Sequence, residues 1–320
     1  MNDMLDELEI DKELKDNSLN RERDTAKIIE EFITCSKKQI KNIKADELND
    51  DLRKLPNVKK FVQSKNKEEY RFSQSYLNKI YSLIRRTYNY AVVNEKLLKD
   101  LNPFEIEGKI KKPKANKNTK IVKPFTRDEC IKFLVELNRY AHKFIDILKV
   151  QLFGGLRIGE TLGLTSGDID LEQNKIFIKT TLTKNKFNKT VRGDTTKTPT
   201  GTRSIPLTPI LRDILEPLVN KDNPEALIFS NNGKPHNESN INRVMKQVCT
   251  RAGIRLIKVK KKKANGRICE LTTSDISVHG LRHLYASIGV LVKADPKALQ
   301  VLLRTQRHIG NYEHLCRCTR

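Results

Sequence analysis

A basic segment that contains two prolines divides the sequence into two parts. Between Gly108 and Pro124 there are seven lysines, two prolines and no acidic residue. Proline lacks the backbone N–H that a helix interior requires, so this segment is not expected to form a helix. We therefore predict a linker over residues 108–123 that joins two separately folded domains. The linker is either a flexible, cationic connection that follows a phosphate backbone or an ordinary hinge made soluble by lysine.

The whole chain carries a large excess of positive charge. Its 320 residues include 62 Lys+Arg and 39 Asp+Glu, which gives a formal net charge of +23. Such an excess is typical of proteins that bind a polyanion, most often a nucleic acid. No stretch is apolar enough to span a membrane, and the acidic N-terminal tail (residues 1–19) lacks the apolar centre of a signal peptide. Cys316 and Cys318 lack the spacing of a zinc site, and the scattered remaining cysteines indicate a reducing compartment.

The region before the linker has the periodicity of helices. After the candidate N-cap Ser73, apolar residues recur at helical spacing as far as Ala91. We predict a small all-α domain over residues 20–107. The opposite face of the same helix carries Arg85 and Arg86, which form either an ordinary solvated surface or part of a DNA-binding surface.

Residues 124–320 combine helical patterns with a few short strands. The domain opens at a capping box, Thr126–Glu129, that starts a helix. The alternating pattern at Asn174–Lys179 predicts a strand, and Arg203–Leu207 is its candidate hairpin partner. A last helical block covers His279–Val292. The expected fold class is therefore mainly α with a small β-sheet (α+β).

Three separated segments carry residues that can bind anions or move protons. A glycine-rich segment contains Arg157, whose guanidinium could approach a phosphate closely, and Glu160 lies near enough in sequence to orient it. Lys197 lies in a turn-rich stretch just before a strand. His279 and Arg282 are three residues apart, so at the start of a helix they share a face and can bind one anion. Each segment alone is a weak signal.

Taken together and in this order, the segments resemble the tyrosine recombinase (phage integrase) family of site-specific DNA recombinases. The boxes Gly-Leu-Arg-Ile-Gly-Glu and His-Gly-Leu-Arg-His carry the resemblance, which covers roughly residues 20–303. It implies a core-binding domain at residues 20–107 and a catalytic domain at residues 124–320. It also implies double-stranded DNA attachment sites as partners, a tetrameric synapse, no membrane association and a cytoplasmic, nucleoid-associated bacterial protein. The candidate DNA contacts are Arg85, Arg86, Lys111, Lys112 and Lys114.

The resemblance further implies a reaction without metal or other cofactor. In this family a tyrosine hydroxyl attacks the scissile phosphate, forms a 3′-phosphotyrosyl link and releases a 5′-hydroxyl. Arg157 and Arg282 would clamp the non-bridging oxygens, with Glu160 as a supporting residue. Lys197 would protonate the departing oxygen, and His279 would act in proton transfer or phosphate binding.

The C-terminus departs from the family pattern. Extending the usual spacing from Arg282 puts the expected histidine at Thr305 and the nucleophilic tyrosine at or beside Leu315. Neither residue can perform the required chemistry. Tyr312 is the only tyrosine nearby and is the candidate nucleophile, although its sequence context does not match the family.

A shifted reading frame would explain this departure. Nucleotides that can encode residues 304–316 can, when shifted by one base, encode Gly-His-Ser-Asp-Ile-Leu-Glu-Thr-Thr-Asn-Ile-Tyr. The histidine and tyrosine of that alternative text fall at positions 305 and 315. The alternative function is therefore a catalytically defective DNA-binding remnant with a frameshifted C-terminus. Sequencing of the gene tests the idea, because codons that cannot yield the alternative text would exclude the shift.

A basic RNA-associated protein is a further alternative of a different class. It would account for the net charge and for the basic run Lys258–Lys263, which is either a solvated surface loop or a DNA contact. It does not account for the ordered arginine, lysine, histidine and arginine segments. Direct competition between duplex DNA and RNA distinguishes the two.

Overall fold

The computed structural model describes residues 16–62, 67–93, 102–106, 109–116, 125–184, 190–194, 203–262 and 267–303. Within these residues the chain forms two compact units, one made from residues 16–116 and the other from residues 125–303. Among the described helices, none is both long enough and apolar enough to cross a membrane. The fold class is mainly α with small antiparallel sheets, as predicted.

The first unit consists of three longer helices, short 3₁₀ turns and a hairpin. Its helices are α1 (Asp16–Phe32), α2 (Ala45–Lys54) and α3 (Gln74–Val93), its 3₁₀ turns lie at Thr34–Lys37, Ile40–Asn42 and Leu55–Asn57, and its strands are β1 (Lys59–Val62) and β2 (Lys67–Tyr70). The prediction of an all-α domain is therefore wrong in one place. The antiparallel register of β1 and β2 places Lys60 opposite Glu69, and opposite charges across a strand pair stabilise the hairpin. These strands lack a regular apolar face, so the sequence pattern does not indicate them.

The core of the first unit follows the helical periodicity of its sequence. Ser73 precedes α3, and its hydroxyl accepts a hydrogen bond from the Tyr76 backbone N–H at 3.3 Å, as the N-cap prediction requires. The residues Leu77, Ile80 and Leu83 of α3 are all at most 2% exposed. They pack with buried residues of α1 and α2 in one apolar cluster.

Part of the predicted linker is attached to the first unit. Residues 109–116 are called the strap below. Their backbone carbonyls accept hydrogen bonds from side chains of α2 and α3, and their backbone N–H groups donate hydrogen bonds to the same side chains. Ile110 in the strap is 7% exposed and belongs to the apolar cluster of the unit. The expectation of a flexible connection is therefore wrong for the strap, because buried apolar contacts and side-chain amides fix its backbone. Residues 117–124 lie outside the described residues.

The second unit combines a helical core with short antiparallel sheets. Its helices are α4 (Arg127–Arg139), α5 (Ile145–Phe153), α6 (Ile158–Gly163), α7 (Pro209–Leu215), α8 (Glu238–Arg251), α9 (His279–Leu291) and α10 (Pro296–Leu303). Its strands are β3 (Ile169–Asp170), β4 (Lys175–Ile178), β5 (Thr180–Lys184), β6 (Thr190–Asp194), β7 (Arg203–Pro206), β8 (Ser230–Asn231), β9 (Lys234–Pro235), β10 (Leu256–Lys262) and β11 (Ile268–Ser274).

The start of the second unit and its main sheet agree with the sequence patterns. Thr126 and Glu129 form the predicted capping box, because each side chain accepts a hydrogen bond from the other residue's backbone N–H, at 3.2 and 2.9 Å. The sheet has the order β3-β4-β7, and Ile176 pairs with Ile205 in antiparallel register. The predicted pairing of these two segments is therefore confirmed, but they do not form a hairpin, because β5 and β6 lie between them in the chain.

Two features position the functional side chains. Helix α5 is buried nearly all round, so it forms a fixed support at the centre of the unit. Helix α6 lies close against β5, and Gly163 O in the helix accepts a hydrogen bond from Thr180 Oγ1 in the strand at 3.0 Å. A Cβ on Gly159 would lie only 2.7 Å from Leu182 O, so this approach requires glycine.

The basic run that begins at Lys258 belongs to a hairpin. Strand β10 pairs with β11 in antiparallel register, with Lys260 opposite Glu270. Lys258 Nζ lies 3.5 Å from Glu270 Oε2, and both side chains are exposed. The surface-loop interpretation is therefore wrong for the strand residues. Lys263 lies outside the described residues.

Candidate active site

The site is built at the turn between α5 and α6, which passes through two glycines. Gly155 has a φ of +61°, a left-handed conformation that strains other residues. A Cβ on Gly155 would lie 2.8 Å from the ring of Tyr285, and a Cβ on Gly154 would lie 2.9 Å from Val150 O. The turn therefore needs glycine at both positions. It places Arg157 just before α6, with a side chain that is 46% exposed.

The carboxylate of Glu160 is the hub of the turn. It accepts hydrogen bonds from Arg157 Nη1 at 2.8 Å, from the Arg157 backbone N–H at 2.9 Å, and from Arg203 Nη1 and Nη2 at 3.1 and 2.7 Å. Burial of Glu160 disfavours its charged form, but the hydrogen bonds and positive charge of Arg203, with those of Arg157, outweigh it and lower the pKa to about 2. Glu160 therefore stays ionised and holds the Arg157 guanidinium in place.

Arg203 is a functional neighbour that sequence reasoning missed. Its side chain is 11% exposed and pairs in bidentate fashion with Glu160. Arg203 is two residues before the buried Ile205 in β7, so the two share a face of the strand. A guanidinium on the core face of a strand requires a buried anion as its partner. An arginine at an alternate position to a buried isoleucine is therefore the sequence pattern that could have indicated this ion pair.

Helix α9 connects to the same turn through Arg282. This side chain is buried, and its Nη1 donates a hydrogen bond to Gly155 O at 2.8 Å. One helical turn away, the exposed His279 contacts the ring of His283 edge to face, with ring centroids 4.9 Å apart. Although part of His279 is open to solvent, protein atoms remove water from the rest of its ring, and this desolvation, followed by the positive charges of Arg282 and Arg157, lowers the pKa of His279. The imidazole is therefore neutral at pH 7 and can accept a proton.

Hydrogen bonds from two other helices hold the residue before His279. The Val278 carbonyl accepts from Gln151 Nε2 of α5 at 2.9 Å, and the Val278 N–H donates to Asn242 Oδ1 of α8 at 2.9 Å. Gln151 is fully buried. The start of α9 is therefore fixed from both sides, and with it the direction in which His279 projects. Neither amide had a recognisable signal in the sequence.

The sequence-predicted site residues divide into three groups, two of which the structure describes. Four of them meet at one site in the second unit: Arg157, Glu160, His279 and Arg282. Lys197 and the candidate nucleophile Tyr312 lie outside the described residues. The candidate DNA contacts all lie in the first unit: Arg85, Arg86, Lys111, Lys112 and Lys114.

The candidate DNA contacts differ in their surroundings. Arg85 is exposed on α3, whereas Arg86 Nη2 lies 2.5 Å from Glu22 Oε2 of α1. Arg86 is therefore partly neutralised by an ion pair inside its own unit. The three lysines are exposed on the strap, and no carboxylate of a described residue pairs with them.

The arrangement in the second unit suits an anionic ligand that undergoes proton transfer. Arg157 and Arg282 supply guanidinium groups, one exposed and one buried, and both charges act on the neutral ring of His279. Forked guanidinium donors match the oxygens of a phosphate and stabilise charge that develops on them. Among the described residues, no three His, Cys, Asp or Glu side chains cluster to hold a metal ion.

Replacement of Gly155 should test the geometry of the turn. Gly155→Ala adds strain of about 1–2 kcal/mol for the left-handed backbone and a further cost of about 1–3 kcal/mol for crowding against Tyr285. Gly253 is the matched control, since its φ is +70° and nothing lies within 4 Å of an added Cβ. Urea unfolding should therefore show a clearly larger destabilisation for Gly155→Ala than for Gly253→Ala. Equal effects would contradict the assigned contact with Tyr285.

Comparison with known proteins gives one family and a set of solved structures. The model of the phage integrase family matches residues 123–315. No curated protein matches the chain. The Tn1549 transposon integrase, solved in complex with transposon right end DNA, is 18% identical and superposes with a TM-score of 0.69 over 96% of this chain and 91% of that one.

Two further solved structures share the fold. A lambda integrase dimer bound to a COC′ core site is 14% identical, with a TM-score of 0.61 over 96% of this chain and 94% of that chain. The XerH site-specific recombinase, in a post-cleavage complex with palindromic difH substrate, is 18% identical, with a TM-score of 0.55 over 89% of this chain and 72% of that chain. At these identities the likeness concerns the fold.

Proposed function

Because the chain belongs to the phage integrase family of tyrosine recombinases, we propose that it is a site-specific DNA recombinase of a phage or another integrative mobile element. Its substrate is duplex DNA at attachment sites, and its reaction exchanges strands by transesterification through a tyrosine. The observation that carries this proposal is the meeting of Arg157, His279 and Arg282 around the turn held by Glu160.

Each residue of this group has a role that follows from its surroundings. Arg157 and Arg282 bind the non-bridging oxygens of the scissile phosphate and neutralise the charge of its pentavalent transition state. His279 is neutral and exposed, so it can accept the tyrosine proton or donate a hydrogen bond to the phosphate. Lys197, by resemblance to the family, protonates the departing 5′-oxygen. The attack leaves a 3′-phosphotyrosyl link, and the reverse step rejoins the strands.

The first unit supplies further DNA contacts. Residues 20–107 act as a core-binding domain, and the exposed Arg85 and the strap lysines contact the phosphate backbone. Four protomers assemble on two attachment sites, as the family does in its synapse. The protein acts in the bacterial cytoplasm, where its DNA substrate is.

Binding measurements on nucleic acids test this function. Repeated selection from a random duplex library should enrich a DNA site, and duplex DNA should outcompete RNA of the same length. If six to ten phosphates are contacted, affinity should fall by about 10³–10⁵ between 50 and 200 mM salt. Fluorescence anisotropy with a labelled duplex measures both quantities. RNA that competes as well as the selected duplex would contradict the proposal and favour the RNA-associated alternative.

A second candidate function is a DNA-binding remnant that occupies recombination sites without cutting them. Positions 305 and 315 carry Thr305 and Leu315, where the family spacing expects a histidine and a tyrosine. A leucine side chain has no nucleophilic atom and cannot attack a phosphate, so the reaction then depends on Tyr312. The two candidates share DNA binding and differ in covalent chemistry. A chemical test of the C-terminal residues separates them.

A further inference from the structure

Residues 109–116 combine a hydrogen-bonded backbone with exposed lysine side chains. The strap belongs to a segment whose composition indicates a linker, yet five of its backbone polar groups bond to side chains of α2 and α3. Its lysine side chains project outward. We propose that the strap is a pre-ordered cationic surface for the phosphate backbone of duplex DNA, and that Asn49 and Gln74 are the positioning residues that hold it. This inference rests on the proposed function.

The two amides bind the strap in the same way. Asn49 Nδ2 donates to Lys109 O at 2.7 Å, and Asn49 Oδ1 accepts from the Lys111 N–H at 2.8 Å. Gln74 Nε2 donates to Pro113 O at 3.0 Å, and Gln74 Oε1 accepts from the Ala115 N–H at 2.9 Å. Each amide therefore binds the carbonyl of one residue and the N–H of the residue two further on, as a neighbouring β-strand would.

Apolar contacts complete the attachment and fix which side chains face outward. Ile110 is 7% exposed, its carbonyl accepts a hydrogen bond from Tyr81 Oη at 3.3 Å, and Pro113 is also buried. The side chains on either side of these anchors are exposed: Lys109, Lys111, Lys112 and Lys114. The buried anchors prevent the strap from rotating, so the lysines stay on the outer surface.

The positive charge of the strap is not neutralised within the described residues. None of its four ammonium groups pairs with a described carboxylate. A cleft of about 320 Å³ separates the strap from the end of α2, and its lining includes Arg53, Lys111 and Lys114. Lysines held at fixed spacing without counter-charges among the described residues suit a row of phosphates, because their counterions are released on binding. Arg53 differs from them, since its Nη1 pairs with Asp50 Oδ1 at 3.1 Å.

Fixed lysines and mobile lysines predict different binding thermodynamics. If the strap is already ordered, duplex DNA binds it without an ordering cost, whereas a detached strap must be ordered when DNA binds. Ordering of a single backbone residue costs about as much free energy as a tenfold change in affinity. The number of neutralised phosphates, and with it the slope of log K against log salt, depends on the lysines and not on the amides.

The test compares variants of the two kinds by anisotropy with a duplex over a range of salt concentrations. Asn49→Ala and Gln74→Ala should each weaken binding about tenfold or more with the salt slope unchanged. The triple variant Lys111→Gln, Lys112→Gln and Lys114→Gln should lower the slope by about 0.9 for each phosphate that is no longer neutralised. The matched control is Asn102→Ala, since Asn102 is also buried in the same unit, while its side chain hydrogen-bonds Asn89 and the Phe104 backbone N–H and not the strap.

Hydrogen exchange gives a second readout without DNA. In Asn49→Ala the Lys111 amide should lose protection, while in Asn102→Ala it should keep it. Unchanged affinity of both amide variants, or unchanged protection of the Lys111 amide in Asn49→Ala, would overturn the positioning role. If the unaltered protein fails to bind duplex DNA, the proposed function fails with it. Binding by the unaltered protein with unaffected amide variants refutes the role of the strap alone.

Discussion

Replacing residues 304–315 by Gly-His-Ser-Asp-Ile-Leu-Glu-Thr-Thr-Asn-Ile-Tyr should yield a protein that forms a covalent adduct with duplex DNA. The change includes Thr305→His and Leu315→Tyr, which supply the two groups that the family spacing requires. With a tyrosine hydroxyl available, a scissile phosphate bound by Arg157, His279 and Arg282 can be attacked. Removal of a nucleophile that works with such a group typically costs several orders of magnitude in rate. We expect the adduct to form at least about a thousandfold faster than with the unaltered chain.

A suicide substrate measures this effect directly. A nick close to the cleavage position in the selected duplex lets the short cleaved product diffuse away, so the covalent adduct accumulates and is resolved by denaturing electrophoresis. The matched control carries the same replacement with Leu315→Phe in place of Leu315→Tyr, which lacks only the hydroxyl. An equal yield from both would contradict the assignment of the nucleophile.

The unaltered chain provides the complementary experiment. It should bind the same duplex and give little or no adduct. An adduct that disappears in Tyr312→Phe would show that Tyr312 serves as the nucleophile, and the remnant interpretation would then be wrong. An adduct that persists in Tyr312→Phe would contradict both assignments.

Loss of the Glu160 carboxylate should destabilise the second unit severely. In Glu160→Ala, the nearly buried Arg203 guanidinium loses its bidentate partner, and Arg157 loses the group that orients it. Removal of one partner from a buried ion pair typically costs about 3–5 kcal/mol. Urea unfolding of the full chain, followed by a signal from the second unit, measures the change.

The exposed pair of Arg192 and Glu225 is the matched control. Its atoms are 2.6 Å apart, but the Glu225 side chain is 79% exposed. Glu225→Ala should therefore cost no more than about 1 kcal/mol. If the buried and the exposed carboxylates proved equivalent, the role of Glu160 as a hub would be refuted. Combining Glu160→Leu with Arg203→Met removes both charges and should recover a large part of the stability.

The same carboxylate predicts how stability depends on pH. The pKa of Glu160 falls from 4.5 to about 2 in the folded protein. A lowered folded-state pKa stabilises the protein above the unfolded-state value, by about 3 kcal/mol for a change of this size. This contribution should be lost between about pH 4.5 and 2 as Glu160 becomes protonated. Glu160→Gln should abolish that part of the pH profile, while a profile identical to that of the unaltered chain would contradict it.

Patterns confined to neighbouring residues were sufficient for much of the fold. The capping box at Thr126 is formed, and the alternating pattern at residues 174–179 does contain the strand β4. Helical spacing also identified the buried face of α3. These features depend on interactions within a turn or on a simple alternation of apolar residues, so local sequence contains the information.

Contacts between distant residues account for the features that sequence reasoning missed. The lysine-rich composition of the strap, with its proline, predicts a flexible segment. Its backbone is nevertheless held by Asn49, which hydrogen-bonds Lys109 and Lys111 across 60 and 62 residues of sequence. Likewise, Arg203 is 43 residues from Glu160. Arg157, His279 and Arg282 were recognised through their order along the chain, which a single sequence does show. The partners that hold them were not, because a lone amide or arginine has no local signature.

The two bonds to Val278 have a consequence for attempts to exchange parts of this protein with those of relatives. Helix α8 can be transplanted as a compact segment, Glu238–Arg251, because it begins at an Asn237 cap and ends close to a left-handed glycine. Yet Asn242 within it bonds to the residue before His279. A chimaera that takes a foreign α8 must therefore keep an amide at position 242, or the transplant will also displace the histidine of the host.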